Sequence, residues 1–143
     1  MNHGAFEMYY HLTLQVKYRH KLITEKMLQR MESIFRDTLV KWRCSMISFS
    51  GEVDHVHLLF EAHPSLDLSR LIANLKTVSS RLIRKEYSDY LSNYFWKPYF
   101  WSSSYGIKTV SRGADMDVIV KYIQQQERPQ PSKPEPSPEL TSD

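Results

Sequence analysis

The chain has 143 residues, of which 41% are hydrophobic, 13% aromatic and 24% charged, and this suffices for one domain with its own core. Its single cysteine, Cys44, excludes an intrachain disulfide framework and a cysteine-rich zinc site, and no run approaches the roughly 20 apolar residues of a membrane span. The net charge of +3 is a weak indication of a polyanionic partner. We therefore expect a cytoplasmic protein without a membrane partner.

The first half of the chain predicts a strand, a helix and a pair of strands. Apolar and polar side chains alternate over Tyr10–Lys17, which is typical of a half-buried strand. Thr24 is a suitable N-cap for a helix that continues to about Trp42 with one apolar face. Two further strands are predicted at Ser45–Val53 and His55–Ala62, with a tight turn between them.

The second half predicts two helices that flank a further strand. The elements are a helix from the cap Asp67 to about Tyr87, an aromatic loop at Tyr94–Trp101, a strand at Ser104–Val110 and a helix from Asp115 to about Glu127. Five of the seven prolines lie at or after Pro129. We therefore expect one domain over residues 1–127 and a proline-rich, disordered tail over residues 128–143.

This order of elements predicts the fold class. Strand, helix, strand, strand, helix and strand form the ferredoxin-like βαββαβ arrangement of the α+β class, here with an appended C-terminal helix. The two main helices then cover one face of an antiparallel sheet. The other face is left open by them.

Two histidines, His55 and His57, stand one residue apart inside an apolar run of the third strand. Because side chains alternate along a strand, both imidazoles point to the face that the main helices leave open. They can lie beside His11, Thr13 or Gln15 if the third strand is next to the first. A neutral imidazole is a metal ligand, so the pair could hold one divalent ion. A chance pair on a half-exposed strand is the alternative.

The last predicted helix carries two side chains whose chemistry complements the histidines. Tyr122 and Gln126 are four residues apart and therefore share one helix face. Tyr122 offers a phenol nucleophile, and Gln126 offers a neutral oxygen to a metal. The alternatives are packing for the tyrosine and solvent exposure for the glutamine.

Five segments in order resemble the HUH single-tyrosine transposases of very small insertion sequences and their REP-associated relatives, where HUH stands for histidine, hydrophobic residue, histidine. The matching segments are YHLTLQVKYRHKLI, DHVHLLFEAHP, LIANLKTVSSRLIRKEY, FWSSSYGIKTVSRGA and VIVKYIQQQ. Two segments depart from the pattern of many family members. Leu14–Lys17 stands where many relatives have Trp-Cys-Pro-Lys, and Ser111–Gly113 stands where many have a Gly-Gly hinge.

The resemblance implies an enzyme that cleaves and rejoins single-stranded DNA at hairpin ends through a 5′-phosphotyrosine intermediate. It implies that His55 and His57 bind a divalent metal, Mg²⁺ or Mn²⁺, that Gln126 is the third ligand and that Tyr122 is the nucleophile. It also implies a homodimer, in which the tyrosine helix of one subunit can complete the site of the other, and no small-molecule substrate.

DNA contacts are expected at two groups of basic residues. The candidates are Lys17, Arg19 and Lys21 after the first strand, and Arg81, Arg84 and Lys85 on the second helix. For the helix charges a solvated outer face is the alternative. The aromatic residues of Tyr94–Trp101 can stack on unpaired bases or serve packing.

Two other functions are compatible with the same residues. A host-adopted REP-type enzyme would nick other hairpins with this site. A non-catalytic single-stranded nucleic-acid-binding module would use the open face of the sheet, but the predicted open positions of the first strand carry no aromatic residue for base stacking.

Overall fold

The computed structural model describes residues 7–130. The strands are β1 (Met8–Val16), β2 (Ser45–Gly51), β3 (His55–Ala62) and β4 (Trp101–Thr109), and the helices are α1 (Glu25–Lys41), α2 (Leu68–Glu86), α3 (Ser88–Leu91) and α4 (Ala114–Gln124). A short 3-10 turn, Lys17–Arg19, follows β1. None of the described helices is long and apolar enough to cross a membrane.

The four strands form one antiparallel sheet in the order β2-β3-β1-β4. This order, with α1 between β1 and β2 and α2 between β3 and β4, is the predicted ferredoxin-like fold with an added C-terminal helix. The bounds of β3 are those predicted, and Glu52 N donates to His55 O at 2.9 Å to close the predicted tight turn.

The core lies between the sheet and the helices α1 and α2. Leu12 and Leu14 of β1 and Leu58 and Phe60 of β3 are completely buried there. Both main helices begin at the predicted caps, because the Thr24 hydroxyl accepts from Met27 N at 3.1 Å and the Asp67 carboxylate accepts from Arg70 N at 3.3 Å. Alternation on the strands and capping at the helices therefore produce the predicted layers.

The fourth strand begins earlier than predicted, at Trp101 instead of Ser104. Trp101 pairs with Val16 after a register shift in β1, and its indole donates to Ser79 Oγ at 2.8 Å. Trp101, the last residue of the predicted aromatic loop, therefore belongs to the sheet. The single-turn helix α3 and the 3-10 turn were not predicted, because elements this short leave no periodic pattern.

The face of the sheet opposite α1 and α2 is partly covered by α4, which packs on β2 and β3. As a result, Leu59 is completely buried and His57 is only 4% exposed, although both point away from the main helices. The structure also describes residues 128–130 of the predicted tail, where Pro129 is buried. Residues 131–143 of the predicted tail lie outside the described part of the chain.

Candidate active site on the sheet face

His57 stands in the middle of the sheet, where β3 pairs with β1. The register places His57 opposite Thr13 and His55 opposite Gln15, so the expected neighbourhood of the third and first strands is confirmed. His57 Nδ1 is 2.9 Å from His11 Nε2 and 3.1 Å from Thr13 Oγ1. One ring nitrogen of His57 is therefore held by β1.

The other ring nitrogen of His57 has no partner. Its Nε2 is buried and makes no hydrogen bond with any described residue. Burial, together with the nearby His11 and His55, lowers the pKa of His57 to about 4, so the ring is neutral at neutral pH. This arrangement is compatible with the tautomer whose Nε2 carries a free lone pair, which is the form that binds metals.

His55 is held in a matching way, by the residue that precedes it. His55 Nδ1 is 2.7 Å from Asp54 Oδ1, and His55 Nε2 is 3.0 Å from Gln126 Oε1. Burial opposes the ionisation of Asp54, but the hydrogen bond with His55 and the charge of Arg19 bring the pKa of this carboxyl below its usual value. Asp54 was missed in the sequence, where its only signal is a carboxylate next to the histidine pair.

Helix α4 brings Tyr122 and Gln126 of the same chain to the histidines. The Tyr122 ring lies 5.3 Å from the His57 ring and 6.2 Å from the His11 ring, edge-on to both. Gln126 Nε2 donates to Tyr122 O at 3.2 Å, so the glutamine is tied to the same helical turn. A cavity of about 600 Å³ lies between α4 and the sheet beside the half-exposed phenol.

The backbone before α4 and the contacts after it position this helix. The helix follows Gly113, whose φ of 85° is in the left-handed region that favours glycine. After the helix, Glu127 N donates to Glu52 Oε2 at 3.1 Å, and Arg128 donates to both oxygens of Glu25 at 2.9 and 2.6 Å. Gln126 therefore lies between the end of α4 and the ion pair of Arg128 with Glu25.

The donor set fits a divalent metal with open coordination positions. His57 Nε2 is buried without a partner, the His55 ring centre is 4.9 Å from that of His57, and His55 Nε2 is 3.0 Å from Gln126 Oε1. Within residues 7–130 no group of three or more His, Cys, Asp or Glu side chains could hold a metal ion. Two imidazoles and one amide oxygen would fill three positions of a bound metal, one fewer than a closed structural site has.

The structure does not bring the predicted DNA contacts into one patch. Arg19 lines the active-site cavity and pairs with Asp54 at 3.2 Å, and the Lys17 ammonium lies 4.5 Å from the Tyr99 ring centre. Lys21 and Lys85 are exposed. Arg81 and Arg84 line a separate cleft at α2.

The fold places this chain among structures described as transposases. A crystal structure of such a protein from Deinococcus radiodurans R1 superimposes with a TM-score of 0.62 at 24% identity, covering 90% of this chain and 97% of the other. A REP-associated tyrosine transposase bound to a REP hairpin matches with a TM-score of 0.54 at 12% identity, over 81% of this chain and 64% of the other.

The chain belongs to the IS200-like transposase family, whose model matches residues 5–126. The ISDra2 transposase TnpA of Deinococcus radiodurans is 32% identical over 122 residues, which are 85% of this chain and 86% of that protein. The transposase of insertion sequence element IS200 from Salmonella typhimurium is 27% identical over 125 residues, which are 87% of this chain and 80% of that protein. The resemblance found in the sequence is thereby confirmed, and the chain has the DNA-processing function of a transposase.

Proposed function

We propose that this transposase is a metal-dependent enzyme that cleaves and rejoins single-stranded DNA through a 5′-phosphotyrosine intermediate. One observation carries the proposal: Tyr122 lies 5.3 Å from His57, whose Nε2 is buried without a partner. The edge-on ring contact is ordinary packing, but a buried ring nitrogen without a partner beside a phenol is a suitable arrangement for attack on a phosphate bound at that nitrogen through a metal.

The chemistry assigns one role to each group. The Tyr122 oxygen attacks the phosphorus of a phosphodiester, a tyrosine–phosphate bond forms, and the bond to the 3′ oxygen breaks, leaving a free 3′-hydroxyl. The 3′-hydroxyl of another strand reverses the step, so no other energy source is needed. When bound to His55, His57 and Gln126, Mg²⁺ or Mn²⁺ would supply positive charge to the phosphate oxygens.

Three side chains position the proposed ligands through hydrogen bonds. Asp54 holds the Nδ1 atom of His55, while His11 and Thr13 hold the Nδ1 atom of His57. In both rings this directs Nε2 toward α4. Such partners fix the tautomer and the ring orientation of a metal-ligating histidine.

All four proposed site residues come from one chain, which supports a site assembled within one subunit. Tyr122 and Gln126 reach the histidines across the chain's own sheet. We expect that mixing Tyr122→Phe protein with His55→Ala protein restores no cleavage. Recovery of activity in mixed dimers would show that the tyrosine helix serves the partner's site.

We also propose that the substrate carries hairpin ends and that the protein is a homodimer. The REP-associated relative is bound to a hairpin, which supports the first point. The second is supported by β4, a nine-residue strand that pairs only with β1 among the described strands and leaves its other edge open. Light scattering of the purified protein tests the dimer directly.

The decisive experiment is a denaturing gel of the protein with labelled single-stranded DNA from the ends that flank its gene, with Mg²⁺ or Mn²⁺. We expect a covalent protein–DNA band that requires metal and disappears in Tyr122→Phe. The matched control is Tyr105→Phe, since Tyr105 is also exposed but stands on the helix side of β4. Binding without any covalent band would favour a non-catalytic module instead.

A further inference from the structure

The turn that follows β1 has a strained backbone. Tyr18 and Arg19 have φ angles of 62° and 55°, so two consecutive residues other than glycine lie in the left-handed region. A side chain with a Cβ atom is disfavoured in this region, and such residues persist only where the surrounding structure imposes the conformation. The contacts around this turn therefore indicate what the strain achieves.

Backbone hydrogen bonds fasten both ends of the turn to the same place. Before the turn, Val16 N donates to Asp54 O at 2.9 Å. After the turn, Ile23 N donates to Val53 O at 2.9 Å. Both ends are thus bound to the two residues that directly precede His55, the first of the proposed metal ligands.

The side chain of Arg19 continues this connection. Its Nε and Nη2 atoms donate to Asp54 Oδ2 at 3.3 and 3.2 Å, and the other carboxylate oxygen, Oδ1, lies 2.7 Å from His55 Nδ1. The Arg19 side chain is 56% exposed, whereas that of Asp54 is only 14% exposed. One largely buried carboxylate therefore joins Arg19 to His55, with a different oxygen for each partner.

We propose that Arg19 is a positioning residue for the metal site and acts on His55 through Asp54. The ion pair restrains the carboxylate of Asp54, and this carboxylate restrains the His55 ring, whose Nε2 lies 3.0 Å from Gln126 Oε1. A ligand that is already oriented loses less conformational freedom when the metal binds. This role differs from the contact with the DNA backbone that the sequence predicts for Arg19.

The charge of Arg19 alone would have the opposite effect on metal affinity. Arg19 lines the same cavity as His55 and His57, so its positive charge repels a divalent cation bound there. Removing that charge would strengthen metal binding, whereas removing an orienting contact would weaken it. The sign of the change in metal affinity therefore separates the two effects.

The test is a calorimetric titration of the metal-free full chain with Mn²⁺, for the wild type and for R19G. Glycine adopts a φ of 55° readily, so R19G removes the ion pair without adding backbone strain. We expect R19G to bind Mn²⁺ about fivefold more weakly, which is the upper end of what a partly exposed ion pair contributes. Equal or tighter binding by R19G would overturn the proposal.

Lys108 provides the matched control, because it lines the same cavity and forms no ion pair with any described residue. K108Q should bind Mn²⁺ at least as tightly as the wild type, since it removes charge but no orienting contact. A loss in K108Q as large as that in R19G would contradict the proposal.

A double variant tests whether Arg19 acts through Asp54. If it does, R19G/D54A should bind Mn²⁺ as tightly as D54A alone, because the orienting carboxylate is already missing. A further fivefold loss in the double variant would show that Arg19 acts by another route, and the proposal would be wrong.

The proposal rests on the metal site proposed above, and a measurement without metal tells the two failures apart. The Nδ1 proton of His55, which is bonded to Asp54, is followed by NMR in metal-free protein with isotope-labelled histidine. R19G should speed its exchange with water about fivefold. Unchanged exchange would refute the positioning role even if the wild type forms the covalent band. Faster exchange in R19G, with no Mn²⁺ binding by the wild type, would retain the positioning of His55 and refute only the metal.

Discussion

Arg128 ties the end of α4 to α1, and we expect R128Q to loosen the helix that carries Tyr122. The guanidinium donates to both carboxylate oxygens of Glu25 at 2.9 and 2.6 Å. Helix α4 buries little else, since Ile123 is its single fully buried side chain. The docking of α4 therefore depends on its ends more than on its apolar face.

The size of the effect follows from the geometry of this pair. The two side chains are 35% and 17% exposed, so water screens part of the attraction. Exposed pairs contribute about 0.2–1 kcal/mol, and two-point charge-assisted contacts lie at or above the top of that range. We expect a loss of about 1 kcal/mol, which raises the population of undocked α4 about fivefold.

Amide hydrogen exchange over residues 114–124 measures this population. R128Q should exchange about fivefold faster there and at an unchanged rate in β3. The matched control is R36Q, which breaks the Arg36–Glu32 pair within α1 and should leave α4 unaffected. Unchanged exchange in α4 of R128Q would refute the view that this ion pair holds the tyrosine helix.

The same pair predicts how α4 responds to acid. The hydrogen bond from Arg128 lowers the pKa of Glu25 below its usual value. A carboxyl whose pKa is lower in the docked state stabilises docking above its free pKa of about 4.3, and this contribution is lost as the pH falls through the lowered value. E25Q should remove that part of the acid sensitivity of α4 exchange, and an identical pH profile in E25Q would contradict it.

Four further substitutions test individual parts of the site. H57A should abolish the covalent band while changing hairpin affinity less than about threefold, and cleavage that persists in a metal chelator would contradict the metal role. D54A should weaken Mn²⁺ binding about 10–100-fold in titration calorimetry, because His55 loses its orienting carboxylate. G113A should cost about 1–3 kcal/mol in thermal unfolding, because alanine is strained at a φ of 85°. W96F should remove most of the quenching of tryptophan fluorescence by single-stranded DNA, since Trp96 is 89% exposed, whereas Trp42 is half-buried and Trp101 only 7% exposed.

The parts of the fold that were predicted correctly depend on local patterns. Alternation in His55–Ala62 gave the bounds of β3 and the face of its histidines, because a shift of one residue would bury polar side chains in the core. The caps Thr24 and Asp67 gave the helix starts, because each satisfies a backbone N–H three residues later.

The parts that were missed depend on contacts between distant residues. Arg128 and Glu25 are 103 residues apart, and nothing in the local sequence at either position indicates the pair. The tail was therefore predicted to begin at Arg128, which in the structure is held to α1. The cleft at Arg81 and Arg84 likewise combines residues of α2 with the distant segment Pro98–Trp101, whose last residue bonds Ser79 of α2.

The proposed nucleophile and the proposed metal ligands stand on elements of very different rigidity. His55 and His57 lie on β3, which is paired on both sides, and their Nδ1 atoms are already bonded. Tyr122 lies on a helix with one fully buried side chain. A phosphate must be held within a fraction of an ångström for in-line attack, which suits the rigid strand. In the proposed mechanism a DNA end joined to Tyr122 would move only as far as α4 does, so the weaker docking of this helix would permit strand transfer.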